Sequence, residues 1–124
     1  MNWSAIGAIF LALAVGLGAF GAHGLKGRLD AYSLGIWEKA VFYHFTHALG
    51  VLVVSMLPRS GNFPMNRASS VCWLLTAGVL IFSGSLYVLA VSGVRSMGAI
   101  TPIGGVCFIA AWLLLAYYFI AQRV

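Results

Sequence analysis

Acid is almost missing from this chain of 124 residues: Asp30 and Glu38 are its only carboxylate side chains. Both fall in the one polar connection after the first of four long apolar runs, so paired-acid chemistry and carboxylate metal cages are excluded from the apolar runs themselves. Charge of either sign is scarce at 7% of residues, against about a quarter in soluble domains, while apolar residues make up 62%. Most of the chain must therefore be solvated by lipid, and it reads as one transmembrane domain over 1–124 with no room for a soluble one. Cysteine is limited to Cys72 and Cys107, which fall in opposite halves of antiparallel spans. On the order of 20 Å of depth separates them at ~1.5 Å of rise per residue, so a disulfide is out of reach and both read as packing residues.

Basic residues outnumber acidic ones, with a net charge of +5, yet Lys26, Arg28, Lys39, Arg59, Arg67, Arg95 and Arg123 stand singly at the ends of the apolar runs. Nucleic-acid binding needs a clustered basic face and is set aside. The cations read instead as headgroup anchors and topology signals. Four of them, Lys26, Arg28, Lys39 and Arg95, share one side, and Arg59, Arg67 and Arg123 share the other. The uncharged start of the first run and the cations after its end lean the topology toward a cytoplasmic first connection with both termini outside.

The runs Trp3–Ala22, Lys39–Leu57, Ser70–Ser92 and Pro102–Ala121 are each long enough to cross ~30 Å of hydrocarbon as a helix. The expected fold is all-α: an integral membrane four-helix bundle running up-down-up-down, with helices over about 3–22, 31–57, 70–92 and 102–121. The second helix is expected to start early, capped by Asp30, with Tyr32, Leu34, Ile36 and Trp37 forming an interfacial lead-in. It should stop near Pro58, and residues 59–67 read as a polar turn region. Thr101-Pro102 reads as N-cap and first helical position of the fourth helix. The first run has no Lys or Arg ahead of it and is long for a signal peptide, so it reads as a retained helix.

Ala8, Ala12 and Gly16 follow one another at four-residue spacing on the first helix, and Ala14, Gly18 and Ala22 line a neighbouring face. Such stripes let backbones approach closely, within one bundle or across a dimer. Gly104-Gly105 is too short and apolar for a nucleotide loop and reads as a place where the fourth helix approaches its neighbour. No internal repeat between the helix pairs suggests an inverted-repeat transporter.

Chemistry inside the apolar runs falls to histidine. His44 and His47 stand on one face of the second helix with Trp37 and Val51, Tyr43 lies one turn from His47, and that face should point inward. Depth matching places Ser83 of the antiparallel third helix against His47 and Ser85 against His44, with Tyr87 one turn further on. The plainest reading is a neutral histidine that donates one hydrogen bond and fixes helix register; a proton or ion path comes second, a metal or haem site last. His-x-x-His lacks the further ligands that zinc needs, and His23, roughly 9 Å from His44 in depth, is a poor axial partner for haem. No cofactor is expected. His23, Lys26, Glu38, Lys39, Tyr43, Tyr87 and Arg95 approach the first-connection interface and could share a headgroup or anion pocket, against the simpler reading of a snorkelling rim.

Gly18-Ala-Phe-Gly-Ala-His23, Tyr43 with His47, Phe82-Ser-Gly-Ser-Leu-Tyr87, Thr101-Pro-Ile-Gly-Gly105 and Trp112 resemble the signature blocks of domain-of-unknown-function family 423. That family consists of small bacterial inner-membrane proteins, and the eukaryotic transmembrane protein 256 is similar to it. The resemblance implies a four-helix membrane protein with no established activity, and it puts His23 and His47, rather than His44, in the pattern. The functional expectation is a non-enzymatic structural or accessory component of a larger membrane complex in the bacterial inner membrane, its partners being the lipid bilayer and other subunits. The alternative is a homo-oligomeric transporter or pore, in which histidines replace the membrane-embedded acid that small exporters of this size use.

Overall fold

The structure is a computed structural model that describes residues 1–122; Arg123 lies outside the described residues. Helix α1 covers Trp3–His23 and α2 covers Ala31–Met56, continued by a 3-10 turn over Leu57–Ser60. The third span is a continuous rod of α3 (Met65–Gly78), a π turn (Val79–Ser83) and α4 (Gly84–Ser92), and the fourth span is α5 (Met97–Ala121). All four spans are long and apolar enough to cross a membrane.

Local chemistry sets the helix ends. Asn2 accepts a hydrogen bond from the Ala5 N–H at 3.1 Å, and Asp30, in extended backbone, accepts one from the Ser33 N–H at 2.8 Å. Each satisfies a donor that the first helical turn leaves orphaned. Hydrogen bonds from Ser33 hold the Asp30 carboxyl below the usual carboxylate range. At the far end of α4, Gly93 takes a left-handed conformation (φ 71°) that closes the helix.

Two starts differ from the sequence expectation. The third helix begins at Met65, because Pro64 takes the extended backbone ahead of a helix start and the polar residues Asn66, Arg67, Ser69 and Ser70 are accommodated in the first turns. The fourth begins at Met97, so Thr101-Pro102 is not its start and Pro102 lies inside the helix. A proline one and a half turns in leaves the Gly98 carbonyl without its i+4 donor, which the helix tolerates near its N-terminus. Thr101 is released from capping and its hydroxyl pairs across to Ser85 at 2.6 Å.

Successive spans run antiparallel. α1 lies on α2 through its small residues: a Cβ on Gly7 would come within 2.8 Å of the Leu52 nitrogen, and one on Gly21 within 2.5 Å of the Trp37 indole. Trp37 Nε1 donates to the Leu17 carbonyl at 2.9 Å and locks this pair. Between α2 and the third span, Ser83 donates to the Ala40 carbonyl at 2.8 Å and Cys72 Sγ approaches the Val51 carbonyl at 3.7 Å. Both bonds keep one antiparallel register. α5 returns along the third span, with Phe108 seated on Gly78 and Gly104 against the Phe82 backbone.

Two apolar clusters result. A larger one at the termini end joins Trp3, Val54, Val71, Leu75, Phe108 and Leu115, and a smaller one at the first-connection end joins Leu25, Trp37 and Ala90. Polar side chains are buried at the level between them.

Candidate functional site

Helix periodicity turns Trp37, His44, His47 and Val51 to one buried face of α2, because steps of three and four residues return to the same side. The rod Ala31–Ser60 is 30 residues long, so its midpoint falls between Phe45 and Thr46. His44 and His47 therefore lie about 2 Å to either side of it along the axis. This moves His44 to the centre beside His47, since the helix starts well before the apolar run that first located it.

His44 is 4% exposed, and its Nδ1 lies 2.9 Å from the Tyr87 hydroxyl. Its Nε2 has no hydrogen-bond partner of normal geometry, although the Phe10 carbonyl of α1 lies beside the ring. A carbonyl can only accept, so its proximity favours the proton on Nε2 and leaves Nδ1 to accept from Tyr87. His47 makes a different arrangement. Its Nδ1 donates to the Tyr43 carbonyl one turn back at 2.9 Å, and its ring stacks on Phe108 with centroids 3.6 Å apart and planes 15° apart.

The serines pair elsewhere than depth matching predicts. Ser83, fully buried, bonds the Ala40 carbonyl and not His47; Ser85 bonds the Phe82 carbonyl at 2.9 Å and Thr101, and not His44. The early starts of α2 and α3 slide the register by about two turns, and Tyr87 rather than Ser85 reaches His44. Tyr43 contributes its carbonyl and a ring tilted against Phe82 at 4.5 Å. His23 is exposed at the end of α1 and does not join this belt. The first-connection residues do not form one pocket either: Tyr87 turns inward, Glu38 lines a small pocket beside Trp37 and Gly21, and Arg95 lines a separate groove with Tyr32 and Ser33.

Three residues that the sequence does not connect to the histidines contribute to their surroundings. Thr101 reads as a cap, while Phe108 and Trp112, whose ring centroid is 5.8 Å from His47, sit on a helix with no charged residue and no histidine to draw attention. The Gly104 and Gly105 pair one turn before Phe108 was the available signal of close approach. Among the described residues, no group of three His, Cys, Asp or Glu side chains comes together as a metal site. What the belt does chemically is pair polar groups with each other and with backbone carbonyls, in a setting where an unpaired group costs more than in water.

Beside His44 lies a cleft of about 140 Å³ between α1 and the third span, lined by Phe10, Leu13, Val79, Leu80, Gly84 and Tyr87. Leu13 and Leu80 are 51% and 62% exposed, so its mouth faces lipid at the middle of both helices.

Four apolar helices on short connections, with polar side chains turned inward, define a multi-pass integral membrane protein. Its surroundings are the lipid bilayer. The chain belongs to the family described as protein of unknown function (DUF423), whose pattern matches residues 17–105. It is similar to UPF0382 membrane proteins: 48% identical over 110 residues to one from Staphylococcus haemolyticus, covering 89% of this chain and 88% of the relative. One from Staphylococcus saprophyticus is 51% identical and one from Bacillus subtilis 48%, each alignment covering 89% of both chains. No solved structure matches.

Proposed function

We infer that the protein is a non-catalytic accessory component of a larger complex in the bacterial cytoplasmic membrane, docking on its partner through α1. The observation that carries this reading is the outer face of α1. Ala5, Ala8, Ala12, Gly16 and Ala19 are all exposed and follow one another at three- and four-residue steps, while the helix packs on α2 through Gly7, Ala14 and Gly21. Lipid is contacted as well by large apolar residues, whereas a seam of small ones permits another helix to approach backbone to backbone. The hydroxyls of Ser83, Ser85, Tyr87 and Thr101 and the Nδ1 atoms of both imidazoles bond groups within the chain, which supports a scaffolding use over a reactive one. Relatives from Bacillus and Staphylococcus support a bacterial cytoplasmic membrane. The cations Lys26 and Arg28 support a cytoplasmic first connection.

The test is native mass measurement after mild solubilisation. The expected result is a stoichiometric complex with another membrane protein, abolished by Ala8→Leu with Ala12→Leu while the melting temperature of the isolated chain stays the same. A stable homo-oligomer alone would overturn this reading in favour of a pore or transporter built from copies of the chain.

A further inference from the structure

We propose that the cleft beside His44 is a binding site for a lipid-soluble, single-ring carbonyl compound, the chemistry of a quinone head group, whose oxygen accepts a hydrogen bond from His44 Nε2.

Four observations converge on it. First, the imidazole is 4% exposed with Nδ1 engaged by Tyr87, and Nε2 makes no hydrogen bond of normal geometry. At mid-bilayer depth no water is at hand to satisfy that group and the Phe10 carbonyl beside the ring serves it only with poor geometry, so an acceptor arriving from the lipid offers the donor a better partner. Second, a cavity of about 150 Å³ is known to hold benzene, and the cleft's volume of about 140 Å³ suits one six-membered ring. Third, there is free space beside Gly84 in the lining, since a Cβ there would meet nothing within 4 Å. Fourth, its third-span wall is the π turn Val79–Ser83 with Gly84, and single π turns inside α-helices gather at functional sites.

The lining narrows the class. Apart from His44 and the Tyr87 hydroxyl it is apolar, which excludes charged headgroups, and phospholipid esters sit at the interface rather than at the helix midpoints. A neutral ring bearing an oxygen acceptor enters between Leu13 and Leu80, its substituents trailing into lipid. Nε2 is buried, and the Phe10 ring stands edge-on to the imidazole at 6.1 Å, so movement of Phe10 accompanies entry.

The test uses the full chain in quinone-free synthetic nanodiscs, with duroquinone as probe and durene, the same ring without oxygens, as control. Duroquinone is expected to raise the melting temperature saturably, with durene binding at least about fivefold more weakly, the worth of one hydrogen bond. His44→Leu should reduce duroquinone to the durene level, and Gly84→Leu, which fills the cleft and leaves His44 in place, should abolish both responses. Equal binding of the two probes would overturn the hydrogen-bond assignment, and an undiminished response in Gly84→Leu would overturn the site. Neither outcome depends on whether α1 docks a partner.

Discussion

Replacing Gly104 by alanine should unfold the contact between α5 and the third span, while the same replacement one residue later should do nothing harmful. A Cβ on Gly104 would lie 2.7 Å from both Cα and Cβ of Phe82, and these are main-chain-anchored atoms that cannot rotate away. Ordinary contact begins at about 3.4 Å, so α5 must retreat by on the order of 1 Å or distort the π turn. Overpacking of this kind costs about 1–3 kcal/mol, and a backbone obstacle belongs at the upper end. The gain in helix propensity of alanine over glycine, about 1 kcal/mol, offsets part of it. The net expectation is a loss of about 2 kcal/mol, or roughly 5–10 °C in melting temperature for a chain of this size. A Cβ on Gly105 would meet only the Phe82 ring at 3.8 Å, an ordinary contact, so Gly105→Ala keeps the propensity gain and melts at or slightly above the native value. Both variants are compared by thermal unfolding in detergent, followed by near-ultraviolet circular dichroism. Equal melting temperatures would refute the close approach of α5 to Phe82.

Tyr87→Phe removes the hydroxyl that pairs with His44 Nδ1 and should cost about 1 kcal/mol in detergent unfolding, in line with hydrogen bonds between membrane helices. In a His44→Leu background the same change should cost nothing, and a full cost there would break the pairing. Asp30 titrates with the opposite sign to a buried base: its pKa is depressed in the folded state, so its capping contribution is present above the unfolded value near 3.9 and lost as pH falls through the folded value. Melting measured from pH 7 down to pH 3 should therefore show an acid loss that Asp30→Asn, which caps without a titrating group, removes.

Much of the fold was legible because lipid imposes it: four uninterrupted apolar runs admit little but helices, and short connections force neighbours to be antiparallel. Asp30 announced its helix end through local chemistry, since a carboxylate followed three residues later by a free N–H is a complete interaction. The starts of α3 and α5 were not legible. Polar residues such as Asn66 and Ser70 look like loop yet are stable in helix at the interface, and Pro102, a residue that suits a first turn, sits in the second with the Gly98 hydrogen bond forgone. The wrong partners for Ser83 and Ser85 came from centring α2 on its apolar run and from the displaced start of α3, because depth matching inherits any error in where a helix begins and ends. The buried face of α2 survived, since periodicity within one helix does not depend on its ends. The π turn leaves no mark in the residues 79–83 that distinguishes them from ordinary apolar helix.

The stacking of His47 on Phe108 also makes the protein its own ruler. An aromatic ring 3.6 Å from an imidazole and nearly parallel to it shields the protons of that imidazole by its ring current, an effect that falls off steeply with separation. The chain has only three histidines, of which His23 is exposed at a helix end and His44 meets its neighbours edge-on. A single displaced imidazole resonance thus reports how far α5 stands from α2, with no label and no change of sequence, in whatever lipid or assembly the protein occupies.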